Sequence, residues 1–201
     1  MKKKILVYSL LFCLLLSCKM VFGKEDPLIM EIQNVVKQVE KTENLPSTKE
    51  VMLGTLLLDD EEISDWKICN PKKENFYNDE AHLYFVGKRL ISFHIRLGTP
   101  TGDWGEHRYY CYREDETLAF ISYECWSFCD GNIKIEAKLY FDPKGKKIKE
   151  VVKYMDLETD RPVKAQKGLY QPPEIYLKTS DALKKFAKDL KGVTPPWTTF
   201  K

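Results

Sequence analysis

The stretch Ala81–Leu97, AHLYFVGKRLISFHIRL, decides the fold class, because apolar and polar residues alternate along it in two successive runs. Every other position from Ile91 to Leu97 is apolar, and the positions between them are polar or charged. A period of two is typical of a β-strand with one buried face. The stretch therefore predicts two neighbouring strands of a sheet that buries one of its sides.

The residues between the two runs, 87–89 (GKR), predict a hairpin loop. With a three-residue loop, Phe85 lies opposite Ile91 and Leu83 lies opposite Phe93, so that the apolar faces match. A two-residue loop instead sets an apolar face against a polar one. We therefore expect the three-residue loop.

Strand patterns continue on both sides of this hairpin, and most of the links between them are short. The other predicted strands are 51–58, 107–113, 117–126, 133–141 and 148–156. The segment Asp142–Gly145 is a typical link, with Pro and Gly at positions that suit a tight turn. Because parallel strands need crossovers of about a dozen residues or more, the short links predict an antiparallel meander.

A helix is predicted at each end of this run of strands. Asp26 suits the cap of the first helix and Pro27 suits its first turn, and apolar residues follow at helical spacing. Thr179 or Ser180 caps the second helix, and Gly192 lies where a C-terminal cap glycine belongs. Both helices have an apolar stripe that suits packing against a sheet.

The predicted fold class is α+β. We expect a twisted antiparallel β-meander of about six or seven strands, flanked by an N-terminal and a C-terminal helix. No change of composition divides the chain, so residues 24–201 are expected to form a single domain.

Residues 1–23 (MKKKILVYSLLFCLLLSCKMVFG) have the layout of a secretory signal peptide. A basic start precedes a mostly apolar run at 5–16, which is too short for a membrane span of about 20 apolar residues. Two cleavage sites compete. A cut before Cys18 resembles that of a bacterial lipobox and makes Cys18 the site of lipidation, whereas a cut after Gly23 leaves the chain without a lipid. The position of Cys18 at the end of the apolar run favours the lipoprotein.

Cleavage changes the chain from slightly basic to slightly acidic. The full chain carries a net charge of +2, and removal of residues 1–17, with three lysines and no acids, leaves −1. Removal of residues 1–23 also takes Lys19 and leaves −2. This balance gives no electrostatic support for binding nucleic acid. We expect an exported protein, periplasmic or in the outer envelope, held to the membrane through Cys18 if that residue is lipidated.

Four cysteines beyond Cys18 are disulfide candidates, since cysteines outside the cytosol tend to be oxidised. They are Cys69, Cys111, Cys125 and Cys129. Cys125 and Cys129 are too far apart to bond within one regular strand, at ~3.3 Å per residue. Either the strand breaks there and the two close a small loop, or each pairs elsewhere. We favour the pairs Cys125–Cys129 and Cys69–Cys111 over a redox site, whose spacing and helical context differ.

No motif of metal or catalytic chemistry stands out, and no metal or other cofactor is expected. The three histidines, His82, His94 and His107, are scattered along the sequence without the tight spacing of a zinc site. The chain has no Gly-x-Ser-x-Gly elbow and no phosphate-binding glycine loop. We therefore assign no catalytic residue and favour a non-catalytic protein.

Aromatic residues crowd the central strands and are the remaining functional lead. Five of them are candidates for ligand binding: Trp104, Tyr110, Tyr112, Tyr123 and Trp126. Tyr and Trp suit binding surfaces because they offer contact area together with a polar group. They are also ordinary strand formers, so packing in the core and across strands is the simpler explanation.

The first functional hypothesis is an exported bacterial lipoprotein, non-catalytic, that binds a small apolar ligand or a protein partner through its sheet. The alternatives are an envelope enzyme whose site is built from dispersed residues, and a secreted inhibitor or immunity-type protein. A deep pocket that holds His94 or His107 beside a carboxylate would favour the enzyme, and a flat surface over a filled core would oppose it.

Overall fold

The computed structural model describes residues 26–56, 64–69, 79–128, 131–165 and 168–200. The predicted signal peptide, Cys18 and Cys129 lie outside these residues. The helices are α1 (Pro27–Glu43), α2 (Thr179–Asp189) and a short 3-10 helix (Pro196–Thr199). The strands are β1 (Lys49–Thr55), β2 (Lys67–Ile68), β3 (Asp79–Val86), β4 (Arg89–Gly98), β5 (Trp104–Tyr112), β6 (Leu118–Ser127), β7 (Ile133–Phe141) and β8 (Lys147–Asp156).

The strands form one sheet in the order β2-β1-β3-β4-β5-β6-β7-β8, and every neighbouring pair is antiparallel. The predicted α+β fold with an antiparallel meander and two flanking helices is confirmed. The sheet has eight strands rather than six or seven. The additional strand is β2, whose two residues are too few to produce a visible alternation in the sequence. Within the described residues, no helix is long and apolar enough to cross a membrane.

In the β3–β4 hairpin, a β-bulge keeps the apolar residues of one strand opposite the apolar residues of the other. Its turn has two residues, because Val86 pairs with Arg89, and the three-residue loop is therefore wrong. Phe85 pairs with Leu90, and a register shift follows that restores the pairing of Leu83 with Phe93. The bulge turns the extra residue, Ile91, to the other face of the sheet, so the predicted pairing of Phe85 with Ile91 is wrong.

Both faces of the sheet are covered, each by a different helix. We call the side that carries Phe93, Leu118 and Leu139 the α2 face, since these residues pack with Phe186 of α2 in the larger core cluster. The side that carries Ile91 and its buried neighbours is the α1 face, and it forms a second cluster with α1. Alternation along each strand sends successive side chains to the two faces.

A side-chain cap marks the start of α1 but not that of α2. The Oδ1 of Asp26 accepts a hydrogen bond from the backbone N–H of Leu28 at 2.9 Å, which confirms the predicted cap of α1. The cap position of α2 is Lys178, without a side-chain cap, so neither Thr179 nor Ser180 caps it. The hydroxyl of Thr179 instead donates to Glu116 Oε2 at 3.1 Å, which ties the start of α2 to the β5–β6 turn.

The predicted Cys69–Cys111 disulfide is not formed, and no two of the three described cysteines are at disulfide distance. Cys69 follows β2 at the edge of the sheet, whereas Cys111 lies in β5, four strand positions away. At ~4.8 Å per strand this separation is on the order of 20 Å, well beyond disulfide reach. Cys111 is buried under α1, and burial raises the pKa of its thiol to about 12. The proposed partner of Cys125, Cys129, lies outside the described residues.

Candidate functional site

A cavity of about 490 Å³ opens on the α2 face, between β5, β6, β7 and residues 168–172. We call it the β5–β7 cavity. Its apolar walls include Trp104, Tyr123, Ile133, Ile135 and Leu169. Volume and lining are typical of a pocket for a small organic molecule.

An ion pair lies in this cavity wall, beside the polar side chains of Ser127 and Gln171. Arg108 Nε donates to Glu106 Oε1, and the side chains of Arg108 and Glu106 are only 20% and 8% exposed. Burial disfavours the charge on Arg108, but the hydrogen bond and the negative charge of Glu106 outweigh it and raise the pKa of the guanidinium. Two buried charges on an otherwise apolar face contribute little net stability, because their desolvation offsets their attraction. The pair is therefore better explained by a site than by packing.

Tyr110 and Tyr112 belong to the core beside this cavity rather than to its wall. Tyr110 is fully buried and stacks on Phe93, with ring centroids 4.2 Å apart. The hydroxyl of Tyr110 donates to the backbone oxygen of Glu174 at 2.7 Å, and the hydroxyl of Tyr112 donates to the backbone oxygen of Tyr176 at 3.2 Å. The two tyrosines hold the segment before α2 against the sheet.

The structure brings two of the five predicted ligand-binding aromatics into one cavity. Trp104 and Tyr123 line the β5–β7 cavity. Trp126 lies on the opposite face, where its ring covers Gly105 and makes an edge contact with His107 at 5.2 Å between centroids. The aromatic group in the sequence is therefore divided between the two faces by strand alternation.

Gly105 has no room for a side chain beneath Trp126. A Cβ atom at this position would lie 2.0 Å from Trp126 Cζ2, so alanine forces the indole to move. We expect Gly105→Ala to lower the free energy of unfolding by about 2 kcal/mol, as overpacking typically does. Urea unfolding measures this change. In a Trp126→Leu background the same substitution should cost much less, and an equal cost in both backgrounds would show that the indole is not responsible.

A second cavity of about 350 Å³ lies on the α1 face and holds all three histidines of the chain. We call it the histidine cavity. His82 and His94 are direct partners in the β3–β4 register. His107 lies on β5 opposite Arg96, two residues along β4 from His94. The histidines are scattered in the sequence but adjacent on the sheet.

Carboxylates surround these imidazoles. His82 Nδ1 lies 2.6 Å from Glu50 Oε1, and His82 Nε2 lies 3.6 Å from Glu80 Oε2. His94 Nε2 lies 3.6 Å from Glu43 Oε1 at the end of α1. Burial by itself would raise the pKa of Glu43, but the nearby His94 and a hydrogen bond from Ser92 outweigh it, so the pKa is lowered.

His107 makes the stability of the protein depend on pH. Partial burial, and next the charge of Arg96, lower the pKa of His107 below 6.5, although Glu124 and Glu80 oppose this shift. The unfolded chain therefore binds a proton more readily than the folded protein between pH 6.5 and the lower folded value. The free energy of unfolding therefore decreases as the pH falls from 6.5 through the lower pKa of His107 in the folded protein.

We expect His107→Gln to reduce the loss of stability on acidification. Urea unfolding at pH 7.5 and 5.5 compares the variant with the unchanged protein. Equal losses in the two proteins would contradict the assignment to His107.

Neither cavity corresponds to a motif in the sequence, and the pattern of residues fails to predict the two cavities for different reasons. The predicted strand began at His107, but β5 begins at Trp104, so Glu106 was not recognised as a residue of the buried face. If the strand is started three residues earlier, Glu106 and Arg108 point to the same face as the buried Tyr110. Two charged residues on a buried face are the feature of the sequence that could have indicated this site. The histidine cavity depends on strand register, which the spacing of histidines does not show.

Among the described residues, no three His, Cys, Asp or Glu side chains converge, as they stand, closely enough to hold a metal ion. Comparison with protein-family models, with curated proteins and with solved structures found no match to this chain.

Proposed function

We propose that this chain is an exported, non-catalytic protein of the bacterial envelope that binds a small, largely apolar ligand in the β5–β7 cavity. The observation that carries the proposal is the Glu106–Arg108 ion pair in the wall of a cavity that also presents aromatic and aliphatic side chains. Ligand pockets commonly combine apolar walls with a small number of placed polar groups.

The ion pair also indicates what the ligand must carry. Glu106 offers hydrogen-bond acceptors and Arg108 offers donors at neighbouring positions of one wall. Trp104 and Tyr123 offer ring surface to an apolar body. The ligand is therefore expected to join an apolar part to one polar group that hydrogen-bonds to this pair.

Retention of ligand by the protein purified from its native envelope tests the proposal. Solvent extraction followed by mass spectrometry should reveal a compound in stoichiometric amount. The double variant Glu106→Gln/Arg108→Met should lose it. The matched control Glu124→Gln/Arg96→Met makes the same chemical changes on the opposite face and should keep it. A clean extract, or equal retention by both variants, would exclude this function.

The envelope location rests on residues 1–23, whose basic start and apolar run support export. Lipidation of Cys18 supplies the membrane anchor in this proposal. Mass spectrometry of the mature N-terminus distinguishes a lipid-modified Cys18 from an unmodified chain that begins at Lys24. The second result would remove the anchor while leaving the ligand proposal intact.

One observation favours an envelope enzyme as the second candidate. The histidine cavity holds His94 beside Glu43, and it places His107 across from Glu124. A histidine next to a carboxylate is a common arrangement for general acid–base catalysis. Hydrolysis of a panel of ester and amide substrates by the unchanged protein, lost in His94→Gln, would support this candidate.

A further inference from the structure

Charge in the wall of the β5–β7 cavity is confined to one strand. In one row across the sheet, Glu106 of β5 pairs with Cys125 of β6, and Cys125 pairs with Ile135 of β7. In a parallel row, Arg108 of β5 pairs with Tyr123 of β6. All five side chains line the cavity. A ligand in this cavity therefore meets both charges on its β5 side and aliphatic surface on its β7 side.

The two charges of this wall cancel each other. Among the described residues that line the cavity, only Glu106 and Arg108 are charged, and they are joined by the bond from Arg108 Nε to Glu106 Oε1. Burial raises the pKa of Tyr123 far above its ordinary value, so its hydroxyl stays neutral. The polar side of the cavity thus has no net charge with which to attract an ion.

A ligand group with a net charge fits this wall poorly. A carboxylate that approaches Arg108 also approaches the negative charge of Glu106, and an ammonium that approaches Glu106 meets Arg108. Because the Glu106 side chain is only 8% exposed, water screens these repulsions weakly. If an ionic ligand separated the pair, one buried charge would lose its partner. An uncharged polar group avoids both effects, and it loses less hydration on entry.

The ion pair retains hydrogen-bonding capacity for an uncharged group. A guanidinium has five N–H donors and a carboxylate has two oxygens, so the bond from Arg108 Nε to Glu106 Oε1 uses only part of either side chain. The hydroxyl of Tyr110 is a further neighbour of Arg108. A ligand group that complements the pair presents an acceptor next to a donor. An amide has this arrangement, with its C=O beside its N–H.

We propose that the ligand of the β5–β7 cavity is an uncharged amide with an alkyl or aryl body. Its carbonyl accepts from Arg108, its N–H donates to Glu106, and its body lies on the apolar side chains of β7 and Leu169. This inference rests on the ligand-binding function proposed above and adds the chemical class of the ligand. It excludes fatty acids and other anionic amphiphiles.

Three probes that share one apolar body test the class. They are 4-phenylbutanamide, 4-phenylbutanoate and 4-phenylbutylamine, of which the last two are charged at pH 7. The mature protein is refolded from urea, which releases any retained ligand, and ligand-observed NMR titration then measures each affinity. The amide should bind at least tenfold more tightly than either charged probe.

Single substitutions in the pair should change the order of the three affinities. In Glu106→Gln the positive charge of Arg108 is left uncompensated, so 4-phenylbutanoate should bind more tightly than the amide. In Arg108→Met the remaining carboxylate should favour 4-phenylbutylamine. Glu124→Gln is the matched control, because it makes the same change as Glu106→Gln on the opposite face, and it should keep the original order. Circular dichroism checks folding. If Arg108→Met does not fold, Glu106→Gln is the deciding variant.

The outcomes separate the ligand class from the function on which it rests. Tighter binding of a charged probe than of the amide, or an unchanged order in Glu106→Gln, would overturn the class and leave ligand binding in the cavity intact. Failure of all three probes to bind would also overturn it. The compound extracted from the native envelope decides the function independently, because a charged compound retained there would contradict the class alone.

Discussion

Replacing Arg108 by leucine should lower the free energy of unfolding by about 3 kcal/mol, because it leaves the Glu106 carboxylate buried without its partner. The Glu106 side chain is only 8% exposed, so water replaces the guanidinium poorly. This loss of stability is at the low end of the range for breaking a buried ion pair, because the Arg108 side chain is partly open to the β5–β7 cavity. Urea unfolding at neutral pH measures the change.

A second substitution separates the cost of the orphaned charge from the cost of lost packing. In the double variant Glu106→Leu/Arg108→Leu no charge is left, and we expect most of the lost stability to return. Arg96→Leu, at an exposed position of β4, is the control for removal of an arginine and should change stability by less than about 0.5 kcal/mol. If the double variant is no more stable than Arg108→Leu, the ion pair contributes by packing and not through its charges.

Replacing Phe93 by alanine should cost about 4 kcal/mol, since it leaves a cavity at the centre of the larger core cluster. Phe93 is fully buried in β4. Its ring stacks on Tyr110 at 4.2 Å and makes an edge contact with Phe186 of α2 at 5.3 Å between centroids. The substitution therefore removes one of the contacts that join the sheet to α2.

Phe128→Ala is the matched control for this loss. Phe128 is 54% exposed, and its replacement should change the free energy of unfolding by less than about 0.5 kcal/mol. Both variants should unfold with an unchanged dependence on urea concentration. Similar effects at the two positions would show that Phe93 is not at the centre of the core.

The fold class was predictable because alternation with a period of two survives along six long strands. Residue-level pairing was less predictable, since a bulge beside Ile91 corrects the register that a two-residue turn would otherwise impose. Strand β2 escaped prediction because two residues carry no period. The start of α2 was misplaced because the hydroxyl of Thr179 bonds to Glu116, a residue 63 positions away in the chain.

The candidate sites were predictable only in part. Trp104 and Tyr123 were found because aromatic residues in strands are conspicuous, and both line the β5–β7 cavity. The ion pair required the correct start of β5. The predicted pairing of Leu83 with Phe93 already places His82 opposite His94. The position of His107 beside them required the pairing of β4 with β5, which depends on the loop between these strands and could not be counted from the sequence.

The two outer strands of the sheet bear on how the protein avoids self-association. An unpaired strand edge invites a second chain to extend the sheet, and growth of this kind leads to fibrils. At one edge β2 offers only two residues. At the other, Val163 donates to the Tyr154 oxygen of β8 at 2.9 Å, and Pro162, bridged to Met155, has no N–H to offer. At these positions both edges are therefore poor templates for the addition of another copy.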